Sequence, residues 1–150
     1  MRDEPTQITR LANGFRVVSE AMPWLETAAI GVWVDVGARY EAAEVNGVAH
    51  MLEHMAFKGT TTRSARDIAE QMENVGAALN AFTGREQTAY YARVLAEDVP
   101  LAAEIVADIL RRSVFDPAEL ERERHVILQE IGQVQDTPDD LVFDLFQERA

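Results

Sequence analysis

The five residues His50-Met51-Leu52-Glu53-His54 constrain this chain most, because their polar side chains can act together only on a helix. His50 and His54 are four residues apart, so on an α-helix their imidazoles lie one turn apart on the same face. Glu53 follows His50 by three residues and lies on the same side. Two neutral nitrogen ligands beside a proton acceptor are what a hydrolytic zinc site requires. The pattern therefore predicts a metal-binding helix, with a chance pairing of polar residues on a solvated helix face as the alternative.

A second predicted helix, over residues 116–134, offers the further ligand that such a site needs. Catalytic zinc usually has three protein ligands and one water. Glu123 and Glu130 are seven residues apart, which places them within about 20° of each other on a helix, whereas His125 lies about 200° from Glu123. One glutamate could bind the metal while the other holds a ligand histidine by its second ring nitrogen. Spacing alone does not choose between Glu123 and Glu130.

The composition excludes several kinds of site and partner. The chain has no cysteine, which excludes disulfides, cysteine-ligated zinc and a cysteine nucleophile. Its net charge of −12 argues against nucleic acid as a partner, because phosphate binding requires a basic face. No stretch reaches the roughly 18 to 20 apolar residues of a membrane span, and residues 1–7 resemble neither a signal nor a transit peptide. We therefore expect a cytoplasmic protein with no membrane partner.

Local patterns predict an α+β domain, with an antiparallel-rich mixed sheet and helices packed on one of its faces. Asn13-Gly14 indicates a tight hairpin, Ser64 with Asp67 a helix-capping box, and Asp116-Pro117 a helix start. Strands are predicted over residues 7–11, 15–21, 27–36, 77–83 and 88–95, and helices over residues 43–57, 64–76, 99–113, 116–134 and 138–150. Within the first of these helices, Leu52, Met55 and Ala56 are expected to pack inward. Residues 1–150 are expected to form one domain, and a helix still running at the last residue predicts a domain truncated at its carboxy-terminal end.

Three segments of the chain resemble the pitrilysin-type (M16, inverzincin) zinc metallopeptidases, and the processing peptidases of that family most of all. They are residues 47–60 (GVAHMLEHMAFKGT), residues 79–91 (LNAFTGREQTAYY) and residues 121–131 (ERERHVILQEI). The segments have the family's order and spacing, and the resemblance extends over about residues 8–145.

The resemblance implies a role for each matching residue. It makes His50, His54 and Glu130 the ligands of one Zn²⁺ per chain, and Glu53 the general base. It makes Glu123 the supporting carboxylate that orients the site. The resemblance also implies that residues 80 and 81 (Asn80 and Ala81) lie on an edge strand that pairs with the backbone of the substrate.

The function that follows from the resemblance is zinc-dependent endopeptidase activity on extended peptides, and the acidic net charge favours peptides with basic residues. Members of the family enclose their substrate between two homologous halves. We therefore expect the chain to be an amino-terminal catalytic domain that needs a second half or subunit. The alternative is a metal-binding but inactive fragment, or a non-catalytic subunit.

Overall fold

The computed structural model describes residues 6–147 and 149, and its first two strands form a separate antiparallel ribbon. Strand β1 (Thr6–Arg10) pairs with β2 (Arg16–Glu20), and residues of both strands are exposed. The predicted hairpin at Asn13-Gly14 is confirmed. Gly14 has a φ of 88°, a conformation that glycine adopts without the steric penalty of a side chain.

A three-stranded antiparallel sheet forms the centre of the domain. Strands β3 (Thr27–Val34), β4 (Ala78–Thr83) and β5 (Thr88–Leu95) are arranged in the order β3-β5-β4. Among the described residues, β4 therefore lies at an edge of the sheet. The predicted α+β class is confirmed, although the described strands divide between two sheets and all their pairings are antiparallel.

The hydrophobic core lies between one face of this sheet and three helices. Tyr90, Ala92 and Val94 alternate along β5 and are all buried, so they share a face. Against that face pack buried residues of α1 (Val48–Ala56), α2 (Ala65–Glu73) and α3 (Val99–Arg111), namely Ala56, Ile68, Met72, Ala102, Ile105, Val106 and Ile109. Burial of this apolar surface stabilises the sheet and fixes α1 beside β4.

Helix α1 begins later than the sequence predicts. The predicted start at Ala43 is wrong, since Ala43–Val45 form a separate short 3₁₀ turn. Gly47 then adopts a φ of 94°, which a continuous right-handed helix cannot contain. Within the helix, Met55 and Ala56 are buried as expected, whereas Leu52 is exposed.

Two further helices complete the described part of the chain. Helix α4 (Pro117–Asp136) packs against α1 and against α5 (Pro138–Gln147). Asp116 caps α4 by accepting hydrogen bonds from the Ala118 and Glu119 amides at 2.9 and 3.1 Å, as the sequence predicts. Within the described residues, no helix combines the length and the apolar character needed to cross a membrane.

A buried carboxylate ties the loop after α1 to helix α3. Asp108 of α3 is 2% exposed, and its Oδ2 accepts hydrogen bonds from Thr60 Oγ1 at 2.7 Å, Thr62 Oγ1 at 2.8 Å and Arg63 Nη1 at 3.0 Å. Its Oδ1 accepts a bond from Arg112 at 3.1 Å. The hydrogen bonds from these four donors offset the free-energy cost of burying the charged carboxylate.

Candidate metal centre

Three side chains from α1 and α4 converge on one point at the contact between these helices. His50 Nε2 and His54 Nε2 are 3.1 Å apart, and each lies 3.5 Å from Glu130 Oε2. Ligand atoms held about 2.0–2.1 Å from a tetrahedral zinc ion are about 3.3–3.4 Å apart. The observed separations therefore fit a single metal ion, and the donor set of two imidazoles and one carboxylate suits zinc.

The centre opens to solvent on one side and is buried on the other. The side chains of His50 and Glu130 are 38% and 44% exposed, whereas that of His54 is 16% exposed. The two imidazole rings meet edge to face, with an angle of 83° between their planes. Solvent therefore reaches the centre from the side of His50 and Glu130.

Glu123 supports the buried side of the centre. Its Oε2 lies 2.9 Å from His54 Nδ1, and its Oε1 lies 2.7 Å from Lys58 Nζ. Since an ionised carboxylate can only accept, Nδ1 of His54 donates and Nε2 keeps its lone pair for the centre. Burial alone would raise the pKa of Glu123, but the hydrogen bonds from Lys58 and His54 outweigh that effect and the pKa is lowered. This is the arrangement that orients a metal-binding histidine.

Glu53 lies on α1 beside these ligands but outside the group of three. It is half-buried, and it makes no side-chain hydrogen bond or ion pair with any part of the chain that the structure describes. Its charge is felt at Tyr90, whose pKa is raised mainly by burial and to a lesser extent by Glu53. A carboxylate without a competing partner is free to accept a proton from water.

A carboxylate that the sequence did not indicate fixes the amino-terminal end of α1. Glu41 accepts hydrogen bonds from the Gly47 and Ala49 amides at 2.6 and 2.7 Å. These amides lie at the positive end of the helix dipole, where a negative charge is stabilising. Glu41 therefore fixes the turn that carries His50.

The edge strand β4 runs beside α1. Thr83 of this strand donates a hydrogen bond to the Ala49 carbonyl at 3.3 Å. Asn80 is exposed and Ala81 is buried, and the Ala81 amide donates to Asn80 Oδ1 at 2.9 Å. Asn80 and Ala81, which the sequence predicts to bind substrate, therefore lie on a strand that is at the edge of its sheet among the described residues; their role stays a prediction.

Sequence reasoning missed Glu41 and Lys58 as members of this site. The partners of Glu41 lie six and eight residues along an irregular segment, where no helical or strand period applies. Lys58 lies in the bend after α1 and pairs with Glu123 of α4, far along the chain. Its only signal in the sequence is that it is the single lysine of the chain. His125, by contrast, is exposed and bonds to the Glu121 carbonyl of its own helix, in line with its predicted place on the far face.

Comparison with known proteins gives consistent results over nearly the whole chain. The insulinase family (peptidase family M16) matches residues 16–150. An uncharacterized zinc protease of Rickettsia felis is 49% identical over 143 residues, which cover 95% of this chain and 35% of that protein. The beta subunit of the mitochondrial-processing peptidase of Mus musculus is 51% identical over 145 residues, which cover 97% of this chain and 29% of that subunit.

A solved structure supports the same relationship. The crystal structure of a protease from Helicobacter pylori superposes with a TM-score of 0.86 at 26% identity, over 92% of this chain and 34% of that one. The chain thus spans about a third of the length of the relatives it matches. The predicted resemblance is confirmed, and the chain belongs to the insulinase family of peptidases, peptidase family M16.

Proposed function

We propose that this chain carries the zinc centre of an endopeptidase, with His50, His54 and Glu130 as the metal ligands. The observation that carries the proposal is the convergence of their three ligand atoms within 3.1–3.5 Å of one another. Glu53, on α1 with the two histidines, has no side-chain partner among the described residues. Relatives named as zinc proteases support both the metal and the reaction class.

The roles of the side chains follow from their positions. Zinc bound at this centre supplies a Lewis acid that polarises a peptide carbonyl and makes water a stronger acid. Glu53 accepts the proton of the attacking water and returns it to the nitrogen of the leaving amine. Glu123 holds His54 in the tautomer that keeps Nε2 available to the metal.

The substrate is proposed to be an extended peptide that adds to the edge strand β4. A peptide carbonyl would replace Asn80 Oδ1 as the acceptor of the Ala81 amide, and further backbone bonds would align the scissile bond with α1. The net charge of −12 favours peptides that carry basic residues.

We also propose that efficient hydrolysis requires a second homologous half or a partner subunit. The centre is open on the side of His50 and Glu130, and exclusion of water strengthens the electrostatic interactions of a hydrolytic site. The chain spans about a third of its relatives' length, and the mouse relative is itself named as a subunit. The 150-residue chain alone should therefore bind zinc but turn over slowly.

A peptidase assay with quenched-fluorescent basic and acidic peptides tests these proposals. The zinc-loaded protein, completed with a second homologous half, should cleave the basic set, and Glu53→Gln should lower the rate at least about 100-fold. Glu73→Gln, which removes the same charge from the exposed end of α2, should leave the rate unchanged.

The other outcomes separate the proposals from one another. Absence of cleavage in the completed, zinc-loaded protein would contradict the endopeptidase assignment and favour a non-catalytic subunit. Rapid turnover by the 150-residue chain alone, lost in Glu53→Gln, would contradict the requirement for a second half. Equal cleavage of both peptide sets would contradict the preference for basic residues.

A further inference from the structure

Lys58 is the only lysine in a chain that otherwise uses arginine for its positive side chains, 13 of the 14 basic residues. It lies just after Phe57, the residue that ends α1, and its ammonium group lies 2.7 Å from Glu123 Oε1. The other oxygen of the same carboxylate accepts the hydrogen bond from His54 Nδ1 at 2.9 Å. The lysine is therefore linked to the metal centre through one carboxylate, and among the described residues its side chain makes no hydrogen bond or ion pair with His50, His54 or Glu130.

We propose that Lys58 is a positioning residue for the metal centre: it fixes the Glu123 carboxylate, which in turn holds the His54 ring with Nε2 directed at His50 and Glu130. The inference rests on the proposed function, because it assigns a role toward the metal of that centre. It goes beyond the proposed function by adding a residue outside the set of ligands, base and supporting carboxylate.

The geometry favours positioning over a surface ion pair. The Glu123 side chain is 8% exposed and that of Lys58 31% exposed, so the pair is largely shielded from water and from screening by salt. A carboxylate held at only one oxygen can rotate about its side-chain torsion angles, whereas contacts at both oxygens define its plane. Loss of Lys58 would leave a buried carboxylate oxygen without this donor, at a desolvation cost, and the His54 hydrogen bond alone would hold the other oxygen.

The backbone on both sides of Lys58 is also fixed. Its amide donates to the Met55 carbonyl at 3.1 Å, and the two following residues form isolated bridges, Gly59 with Ser64 and Thr60 with Ser113. Thr60 is further bonded to the buried Asp108. The Lys58 side chain therefore starts from a fixed backbone, which limits the positions that its ammonium group can reach.

The direction of the change in zinc affinity distinguishes positioning by Lys58 from the direct electrostatic effect of its charge on the metal ion. Removal of a positive charge near a cation site would by Coulomb's law alone tighten zinc binding. Loss of a residue that orients a ligand through its hydrogen-bond partner weakens binding, typically 10- to 100-fold for direct partners. Weaker binding by a folded variant without the ammonium is therefore opposite to the direct Coulomb effect and is the result that lost positioning predicts.

Zinc titration against a chromophoric chelator makes this measurement on the purified protein. Lys58→Met, which keeps most of the side-chain length without the charge, should raise the zinc dissociation constant about tenfold. Lys58→Arg should restore at least part of the affinity. The control Arg66→Met removes the same charge from a pair on the exposed face of α2 and should bind as the parent does, and circular dichroism verifies that each variant is folded.

Unchanged or tighter binding by folded Lys58→Met would overturn the inference while leaving the proposed centre intact. A parent protein that binds no zinc would instead overturn the proposed centre, and the inference with it. The two failures are therefore distinguishable.

Nuclear magnetic resonance of the histidine rings supplies a second readout that does not require metal. The chain has three histidines, so ¹⁵N–¹H spectra of their rings are simple to assign. In the metal-free parent, the neutral His54 ring should be the Nδ1–H tautomer, because Nδ1 donates to Glu123. Lys58→Met should show a mixture of tautomers or a broadened signal, and a spectrum identical to the parent's would overturn the inference even if the variant were destabilised.

Discussion

Substitution of Asp108 by asparagine tests whether the buried carboxylate anchors the loop that follows α1. In the structure its two oxygens accept four hydrogen bonds, from Thr60, Thr62, Arg63 and Arg112. Asparagine has almost the same shape but only one acceptor oxygen, and its amide donors would face the guanidinium of Arg112. The substitution therefore removes both the charge and half of the acceptor capacity.

The expected cost follows from these contacts. A hydrogen bond to a charged group contributes about 1.5–3 kcal/mol, and breaking a buried ion pair by removing one partner costs about 3–5 kcal/mol. Because asparagine keeps the acceptor that faces the threonines, we expect a loss of about 3 kcal/mol in the free energy of unfolding. For a domain whose total stability is about 5–15 kcal/mol, this is a large fraction.

Urea denaturation followed by circular dichroism measures the loss. The matched control is Glu104→Gln, which removes the same charge from an exposed partner of Arg63 and should cost less than about 1 kcal/mol. If Asp108→Asn were no more destabilising than Glu104→Gln, the reasoning would be refuted.

The pH dependence of the difference gives an independent test. Burial alone would raise the pKa of Asp108, but the hydrogen bonds from Thr60, Thr62, Arg63 and Arg112 outweigh it and hold the pKa well below its usual range. The ionised group therefore contributes stability that is fully present above the ordinary aspartate pKa of about 3.9 and is lost as the pH falls toward the folded-state value. The difference in free energy of unfolding between the parent and Asp108→Asn should be constant near neutral pH and should shrink in acid. A difference that grows in acid would contradict the lowered pKa of Asp108.

Three further predictions concern the site and the segments around it. Glu53→Gln should bind zinc within a few-fold of the parent in chelator competition, because Glu53 is outside the three ligands; complete loss of zinc would contradict its assignment as the base. Glu41→Gln should lower the free energy of unfolding by about 1–2 kcal/mol, since the amide keeps only one oxygen for the two amides at the start of α1; the exposed Glu44→Gln serves as the control, and equal costs would contradict the capping role. Gly37→Ala should lower the free energy of unfolding by about 1–3 kcal/mol, since a Cβ there would lie 2.4 Å from the Gly84 carbonyl oxygen. An unchanged melting temperature would contradict this, because it would mean that the loop moves to relieve the clash at no cost.

The parts of the fold that sequence predicts well are those whose signals lie within a few residues of one another. The capping box of Ser64 and Asp67 and the cap of Asp116 are local patterns, and the structure forms both of them. The facing of His50 and His54 follows from helical geometry alone. The choice of Glu130 over Glu123 as the third ligand did not follow from spacing, since both lie on the same face of α4.

The parts that sequence did not predict depend on contacts between distant segments. Glu41 reaches over an irregular segment to cap α1, and that segment also delays the start of the helix to Val48. Lys58 meets Glu123 only because α1 and α4 pack together. Leu52 was expected in the core on its helical position, yet it is exposed and lines an apolar cavity of about 310 Å³ together with Val34 and Phe115. Neither helical nor strand periodicity in the sequence indicates these contacts between distant residues.

Metal content is the measurement that tests the central claim most directly. Protein purified without added metal is analysed by mass spectrometry beside His54→Ala and Glu130→Gln, with circular dichroism to verify folding. About one zinc per chain in the parent, lost in both folded variants, is the predicted result for three ligand atoms that converge as these do. Zinc that persists in both variants, or a folded parent that takes up no zinc even when it is supplied, would contradict the claim.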